Sequence, residues 1–378
     1  MAQPDILNIS HLDYPGVDET EQEGDAGADA AALRQFTLHR LMAYGLEPGD
    51  GLRLLEFVAE GRSWRRTALA LAAQLLGRLR YGEEDMSAVA AATLRHRASA
   101  LQRISQTMVV DNTPEKRAVY ADAAENFRAA RVIDKRYEHL VIDTAGGPVA
   151  AWVIKPGRTG PSPVVLVHGG VDGWSMDWEG LALELVDEGM TAVVIDGPGQ
   201  GETRFTHGHF LTTGWIDAYA DICAYLQKLA GKQPIAAVGN SMAAGIVALA
   251  ASRYPVFSAV CSNGPVLSMA ALLGRRTYAR KLAAFCGDAA DDATVRAVFE
   301  SMELTEASVT LECPYLLLQG SADPMVPVEH GERLLQWVRS ADKQMVLFEG
   351  GEHVINRYPA DKHHTIRTWL WNRMGRPT

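Results

Sequence analysis

The chain has 378 residues, 47% of them hydrophobic, with 36 Lys and Arg against 46 Asp and Glu and a formal net charge of −10. That length suits one large domain or two of ordinary size around a sizeable buried core, and it excludes global disorder. The acidic balance argues against nucleic-acid binding and against an electrostatic anchor to anionic lipid, both of which need clustered Lys and Arg.

Residues 1–30 contain eight acids and no Lys or Arg, so they read as an acidic flexible tail and leave residues 31–378 close to neutral. They have no basic stretch followed by an apolar run, so no signal peptide is expected; no apolar segment reaches membrane-span length. Cys223, Cys261, Cys286 and Cys313 lack the short spacing of a zinc or redox motif and read as small hydrophobes in a reducing compartment. A cytoplasmic protein with no metal and no cofactor is expected.

From 31 to 133 the apolar residues recur at helical spacing over 31–44, 52–60, 64–81, 86–109 and 113–132. Thr113 followed by Pro114 is a helix-opening signal. No catalytic motif falls here, and the segment reads as an all-helical accessory or cap domain. From 134 to 378 the texture changes to short apolar runs alternating with loops and helices. Strands are expected at 137–143, 149–155, 164–167, 191–195, 235–238, 259–262, 315–319 and 345–348. Such alternation predicts an α/β domain, a mostly parallel eight-stranded sheet with helices on both faces.

Three residues fall where nucleophilic catalysis needs them. Ser241 lies in Gly239-Asn240-Ser241-Met242-Ala243, between a strand and an Ala-rich helix; a turn this tight lifts a hydroxyl above the sheet. Ala243 stands where the G-x-S-x-G pattern has its last glycine. Asp323 and His353 each follow a later strand, in the order Ser, Asp, His. The histidine would take the serine proton, and Asp323 would fix its tautomer and stabilise its charged form. Asp196 precedes the serine and reads as part of a loop shaping the site. Glu352 is too close in sequence to His353 to reach its ring well.

An oxyanion hole needs two backbone N–H groups. Met242, directly after the serine, should supply one, and Gly170 in His168-Gly169-Gly170-Val171 the other. His168 itself reads as structural. Trp174 and Trp178 either line a flat-substrate pocket or pack the loop. His207 and His209 have no third ligand placed with them, and a loop reading wins over a metal. Arg275, Arg276, Arg280 and Lys281 read as a solvated helical face.

Together His168-Gly169-Gly170, the run Asp196-Gly197-Pro198-Gly199-Gln200-Gly201-Glu202, Gly239-x-Ser241 and Gly320-x-x-Asp323-x-x-Val326-Pro327 resemble the α/β-hydrolase superfamily, and within it the FrsA-like branch. That branch includes 2,6-dihydroxypseudooxynicotine hydrolase and the fungal heptaketide hydrolases of pigment synthesis. The resemblance covers roughly residues 113–375 and extends to the arrangement of the helical block. It implies an α/β-hydrolase fold, a homodimer, and a helical domain that covers the active site. It also implies a small-molecule substrate, since several such enzymes cleave a carbon–carbon bond beside a ketone and others are esterases. The leading expectation is hydrolysis of a C–C bond in a polyketide-like or aromatic substrate through an acyl-enzyme on Ser241. Ester or thioester hydrolysis, or acyl transfer or cyclisation, by the same triad is the alternative. A non-catalytic binding protein on the same scaffold is the third.

Overall fold

The computed structural model describes residues 26–81, 86–158 and 160–375. Of the segment expected as a tail, residues 1–25 lie outside the described residues. Residues 26–30 open a helix, in which Asp29 accepts the Trp64 backbone N–H at 2.9 Å. The boundary expected at residue 30 therefore falls inside that helix.

Among the described residues, six helices precede the sheet: α1 (Ala26–Gln35), α2 (Leu38–Ala43), α3 (Pro48–Ala59), α4 (Trp64–Tyr81), α5 (Ala88–Ser105) and α6 (Pro114–Arg131). The single helix expected over 31–44 is two, because Thr37 adopts extended backbone and its hydroxyl caps the Arg40 N–H. Phe36, Leu41, Leu54, Trp64, Leu101 and Ile104 form the buried heart of this block, and the Trp64 indole donates to the Ile104 carbonyl at 3.0 Å. Thr113 caps α6 and Pro114 is its first residue.

The sheet follows, with strands β1 (Tyr137–Thr144), β2 (Gly147–Ile154), β3 (Val164–His168), β4 (Thr191–Ile195), β5 (Ile235–Asn240), β6 (Ala259–Asn263), β7 (Tyr315–Gly320) and β8 (Lys343–Phe348). Its order is β1-β2-β4-β3-β5-β6-β7-β8; β2 runs antiparallel to both its neighbours, β1 and β4, and β3 to β8 are parallel to one another. The interleaved helices are α7 (Glu179–Asp187), α8 (Gly201–Phe205), α9 (Trp215–Ala230), α10 (Met242–Arg253), α11 (Arg276–Cys286), α12 (Asp292–Glu300), α13 (Val328–Trp337) and α14 (Pro359–Met374).

The central strands β3 to β7 are buried along their whole length because helices cover both faces, as a parallel sheet requires. One face packs on α9 to α13 and the other on α7 and α14. The second face also receives α6, whose Phe127 meets Trp152 of β2 edge-on at 5.0 Å. This contact docks the helical block onto the sheet. The register pairs His168 with Gly239 and Asn240 with Asn263, so the C-terminal ends of β3, β5 and β6 lie side by side. No helix of the described residues is long and apolar enough to cross a membrane.

Candidate active site

Ser241 joins β5 to α10 with φ 56° and ψ −121°, a left-handed conformation that side-chain-bearing residues adopt at a cost. The turn closes so tightly that a Cβ on Gly239 would stand 2.1 Å from the Ala243 carbonyl oxygen, hence glycine there. Alanine suffices at 243, where it is fully buried. Two asparagines tie the turn to its surroundings. The Asn263 amide donates to Asn240 Oδ1 at 2.9 Å and to the Val354 carbonyl at 3.1 Å, and the Asn240 amide donates to the His168 carbonyl at 3.3 Å. Both are buried, and nothing in the local sequence pattern marked them, since their pairing depends on neighbouring strands.

The three residues singled out from the sequence meet here. His353 Nε2 lies 2.7 Å from Ser241 Oγ, and its Nδ1 lies 2.7 Å from Asp323 Oδ2. A carboxylate can only accept, so Nδ1 carries the proton and Nε2 is left to accept from the serine. The Asp323 side chain is fully buried, and its other oxygen accepts the Met325 and Val326 N–H groups at 2.8 and 3.0 Å. Close backbone packing sets the histidine loop, since a Cβ on Gly320 would meet the Gly351 carbonyl oxygen at 2.2 Å. Past the histidine, Val354 and Ile355 both have positive φ, 57° and 58°. Asn263 and Lys362 hold that strained pair through the Val354 carbonyl.

Gly170 faces the serine: a Cβ there would stand 2.8 Å from Ser241 Cβ and 3.1 Å from the Asn240 carbonyl oxygen. The glycine loop is clamped from the neighbouring strand end. Gln200 Nε2 donates to the carbonyls of Gly169 and Gly170 at 3.0 and 2.6 Å, and its Oε1 accepts from Gly197 N–H at 3.1 Å. With both carbonyls turned toward Gln200, the loop holds a fixed backbone orientation beside Ser241. Asp196 anchors the same run, accepting the N–H groups of Ser175 and Glu202 at 2.7 and 3.0 Å. Burial pushes its carboxyl up to about 6 against those N–H groups. A Cβ on Gly201 would meet that carboxyl at 2.2 Å. His168 is fully buried, 2.6 Å from the Tyr219 hydroxyl, and burial pushes its imidazole down to about 3. That is the environment of a neutral structural histidine.

A cavity of about 300 Å³ opens in front of Ser241 and His353. Its floor and walls include Trp178, Val266, Met269, Leu272 and Tyr278, and its roof is the helical block, through Gln35, Arg40 and Tyr44. Asp172, in the loop after β3, pins that roof. It accepts from Gln35 and Arg40 at 3.2 Å each, and from Lys281 of α11 at 2.5 Å. Lys281 is therefore buried and paired, where the sequence pattern put it on a solvated face. Deeper in, Arg103 of α5 meets Asp177 at 2.6 Å with both side chains buried, a second bolt between block and sheet.

Of the two tryptophans, Trp178 borders the cavity. Trp174 does not; it packs edge-on against Tyr120 at 4.5 Å and near Phe205, because the Trp174 N–H is held by Asp177 and its ring turns to α6 and α8. Its expected role as a wall of the pocket is corrected to one of packing.

This sheet order, with a serine elbow after β5 and late acid and histidine loops, is that of the α/β-hydrolase fold. A family model described as "alpha/beta hydrolase fold" matches residues 162–275. The chain is 24% identical over 249 residues to the 2,6-dihydropseudooxynicotine hydrolase of Paenarthrobacter nicotinovorans, an alignment covering 63% of this chain and 64% of that protein. It thus spans less than two thirds of that relative's length. Among solved structures, that of the 2,6-dihydroxy-pseudo-oxynicotine hydrolase superposes with a TM-score of 0.76 at 20% identity, covering 89% of this chain and 96% of the other. Wild-type AbyA5 superposes with a TM-score of 0.71 at 19% identity, covering 90% and 94%. Both likenesses extend over the helical block as well as the sheet.

Proposed function

We propose that the chain is a serine hydrolase that cleaves a C–C bond beside a ketone in a polyketide-like or aromatic small molecule. The observation that carries the reading is the unbroken relay from Asp323 through His353 to Ser241, with both links at 2.7 Å, at the edge of a roofed cavity. In this mechanism Ser241 Oγ attacks the substrate carbonyl while His353 Nε2 takes its proton. The developing oxyanion is received by the N–H groups of Met242 and Gly170. Collapse breaks the carbon–carbon bond; the electron pair leaves as the enolate of the second carbonyl, and His353 returns its proton to that carbon. Water, deprotonated by the same imidazole, then frees the acid from Ser241. The products are one acid and one ketone, and the sum is substrate plus water.

The roof and the apolar walls support the C–C reading, because an enolate leaving group needs a site that limits water and holds two carbonyls in one orientation. The test is product analysis on an aryl 1,3-diketone. An equimolar acid and ketone that disappear in Ser241→Ala support the reading. Turnover of p-nitrophenyl esters alone would replace it with an esterase, and no Ser241-dependent turnover of either would replace it with a binding protein.

A further inference from the structure

Behind the Asp172 loop lies a second cavity of about 30 Å³, room for one small occupant. Three cations line it, Lys116 of α6, Arg204 of α8 and Lys281 of α11, with only 7%, 4% and 8% of their surfaces exposed. One carboxylate, Asp172, shares the wall, and Arg40 and Lys281 already engage it. Lys116 Nζ donates to the Val109 carbonyl at 2.6 Å, and burial together with the neighbouring Arg204 and Lys281 pushes its ammonium down to about 7, so an anion held here would restore its charge.

Arg204 is the least provided for. Its guanidinium lies over the rings of Phe205 and Phe285, 4.3 and 4.9 Å from their centroids, and its buried Nε and Nη1 have no hydrogen-bond partner. Buried guanidinium nitrogens are otherwise almost always paired, because their desolvation is costly. The other acids that act on these cations stand outside the cavity: Asp111 and Asp288 are exposed, and Asp196 is held by Ser175 and Glu202.

We propose that this cavity binds a monoanion of halide or carboxylate size, with Arg204 Nε and Nη1 as its principal donors and Lys116 and Lys281 as its counter-charges. The occupant is a free ion or the carboxylate of a substrate. The second source is open because Val171 and Asp172 border both this cavity and the one before Ser241. An ion here would brace the back of the loop that also carries Gly170.

Binding is tested without any turnover, and so independently of the proposed reaction. Crystals of the full chain soaked in sodium bromide should show an anomalous peak within hydrogen-bonding distance of Arg204 Nε or Nη1. In solution, bromide or formate should raise Tm saturably by about 2–4 °C beyond the linear general-salt effect of the same anion at higher concentration. The shift should vanish in Arg204→Met and shrink in Lys116→Met. Ordered water in the cavity of bromide-soaked wild-type crystals, together with a Tm indifferent to the anion, would overturn the proposal. The source is read from formate competition. Inhibition of p-nitrophenyl hydrogen succinate but not of p-nitrophenyl butyrate identifies a substrate carboxylate. Equal response of both esters identifies a free ion.

Discussion

Arg40, on a helix of the N-terminal block, donates to Asp172 in the loop beyond β3 at 3.2 Å, so a single carboxylate connects the roof of the cavity to its wall. The same carboxylate holds Lys281, and the whole cluster is largely shielded from water. Burial pushes the Asp172 carboxyl up, but Lys281 and Arg40 outweigh it and hold it at about 2. Its pKa is thus depressed on folding, and its stabilising contribution is present above about pH 4 and lost as pH falls toward 2.

Asp172→Asn should therefore loosen the roof. We expect a loss of about 3–5 kcal/mol, as for one partner removed from a buried ion pair. Faster proteolytic cleavage within residues 26–59 and a rise in KM that exceeds any fall in kcat should accompany it. Urea unfolding, limited proteolysis and steady-state kinetics on one substrate check all three. Unchanged proteolysis would mean the roof is held elsewhere, Arg103 and Asp177 being the first place to look.

A serine-directed fluorophosphonate should label Ser241 alone, and the label should vanish in Ser241→Ala. His353→Ala should lower kcat by about 10³-fold or more, since the serine then has no base. Intact-mass and peptide mass spectrometry give the labelled position directly. A label on another residue would remove Ser241 from its proposed role.

Gln200→Leu should cost about 10–100-fold in kcat with little change in KM. The carbonyls of Gly169 and Gly170 lose their common donor, so the Gly170 N–H, in its proposed role as an oxyanion donor, is no longer preorganised. A parallel rise in KM would instead mean that the whole cavity has deformed.

His168 gives the fold an acid-sensitive point. Its folded pKa, about 3, lies below the ordinary histidine value of 6.5. The unfolded chain therefore binds the proton first, and stability declines as pH falls from about 6.5 toward 3. At pH 4.5 this single group should account for about 3 kcal/mol of lost stability. In His168→Gln, urea unfolding at pH 7 and at pH 4.5 should differ by that much less than in the parent.

The strands and the positions of Ser241, Asp323 and His353 were legible because each follows a short apolar run, and local sequence dictates such runs. Gln200 and Asp196 were visible as members of a glycine-rich loop, but their partners were not, since the carbonyls of residues 169 and 170 come from another strand end. Asp172, Arg40 and Lys281 form one cluster from three distant segments, and a pattern read along the chain assigns Lys281 to solvent. The break between α1 and α2 was missed because its only local sign is one capping residue, Thr37, within an otherwise continuous helical pattern. The orientation of Trp174 depends on α6 and α8 and had no local signature.

The left-handed turn at Val354 and Ile355 has a consequence for how the protein can change over generations. Branched side chains in that conformation cost about 1–3 kcal/mol each. Both side chains are buried, Ile355 completely and within the core beneath α14, so glycine or asparagine at either position would relieve that cost only by giving up a comparable or larger amount of packing. Each would also give the imidazole of the adjoining residue more freedom than its two 2.7 Å partners tolerate. Packing and turnover therefore both preserve these two branched residues despite their strain, and a lineage that gains stability must find it elsewhere in the molecule.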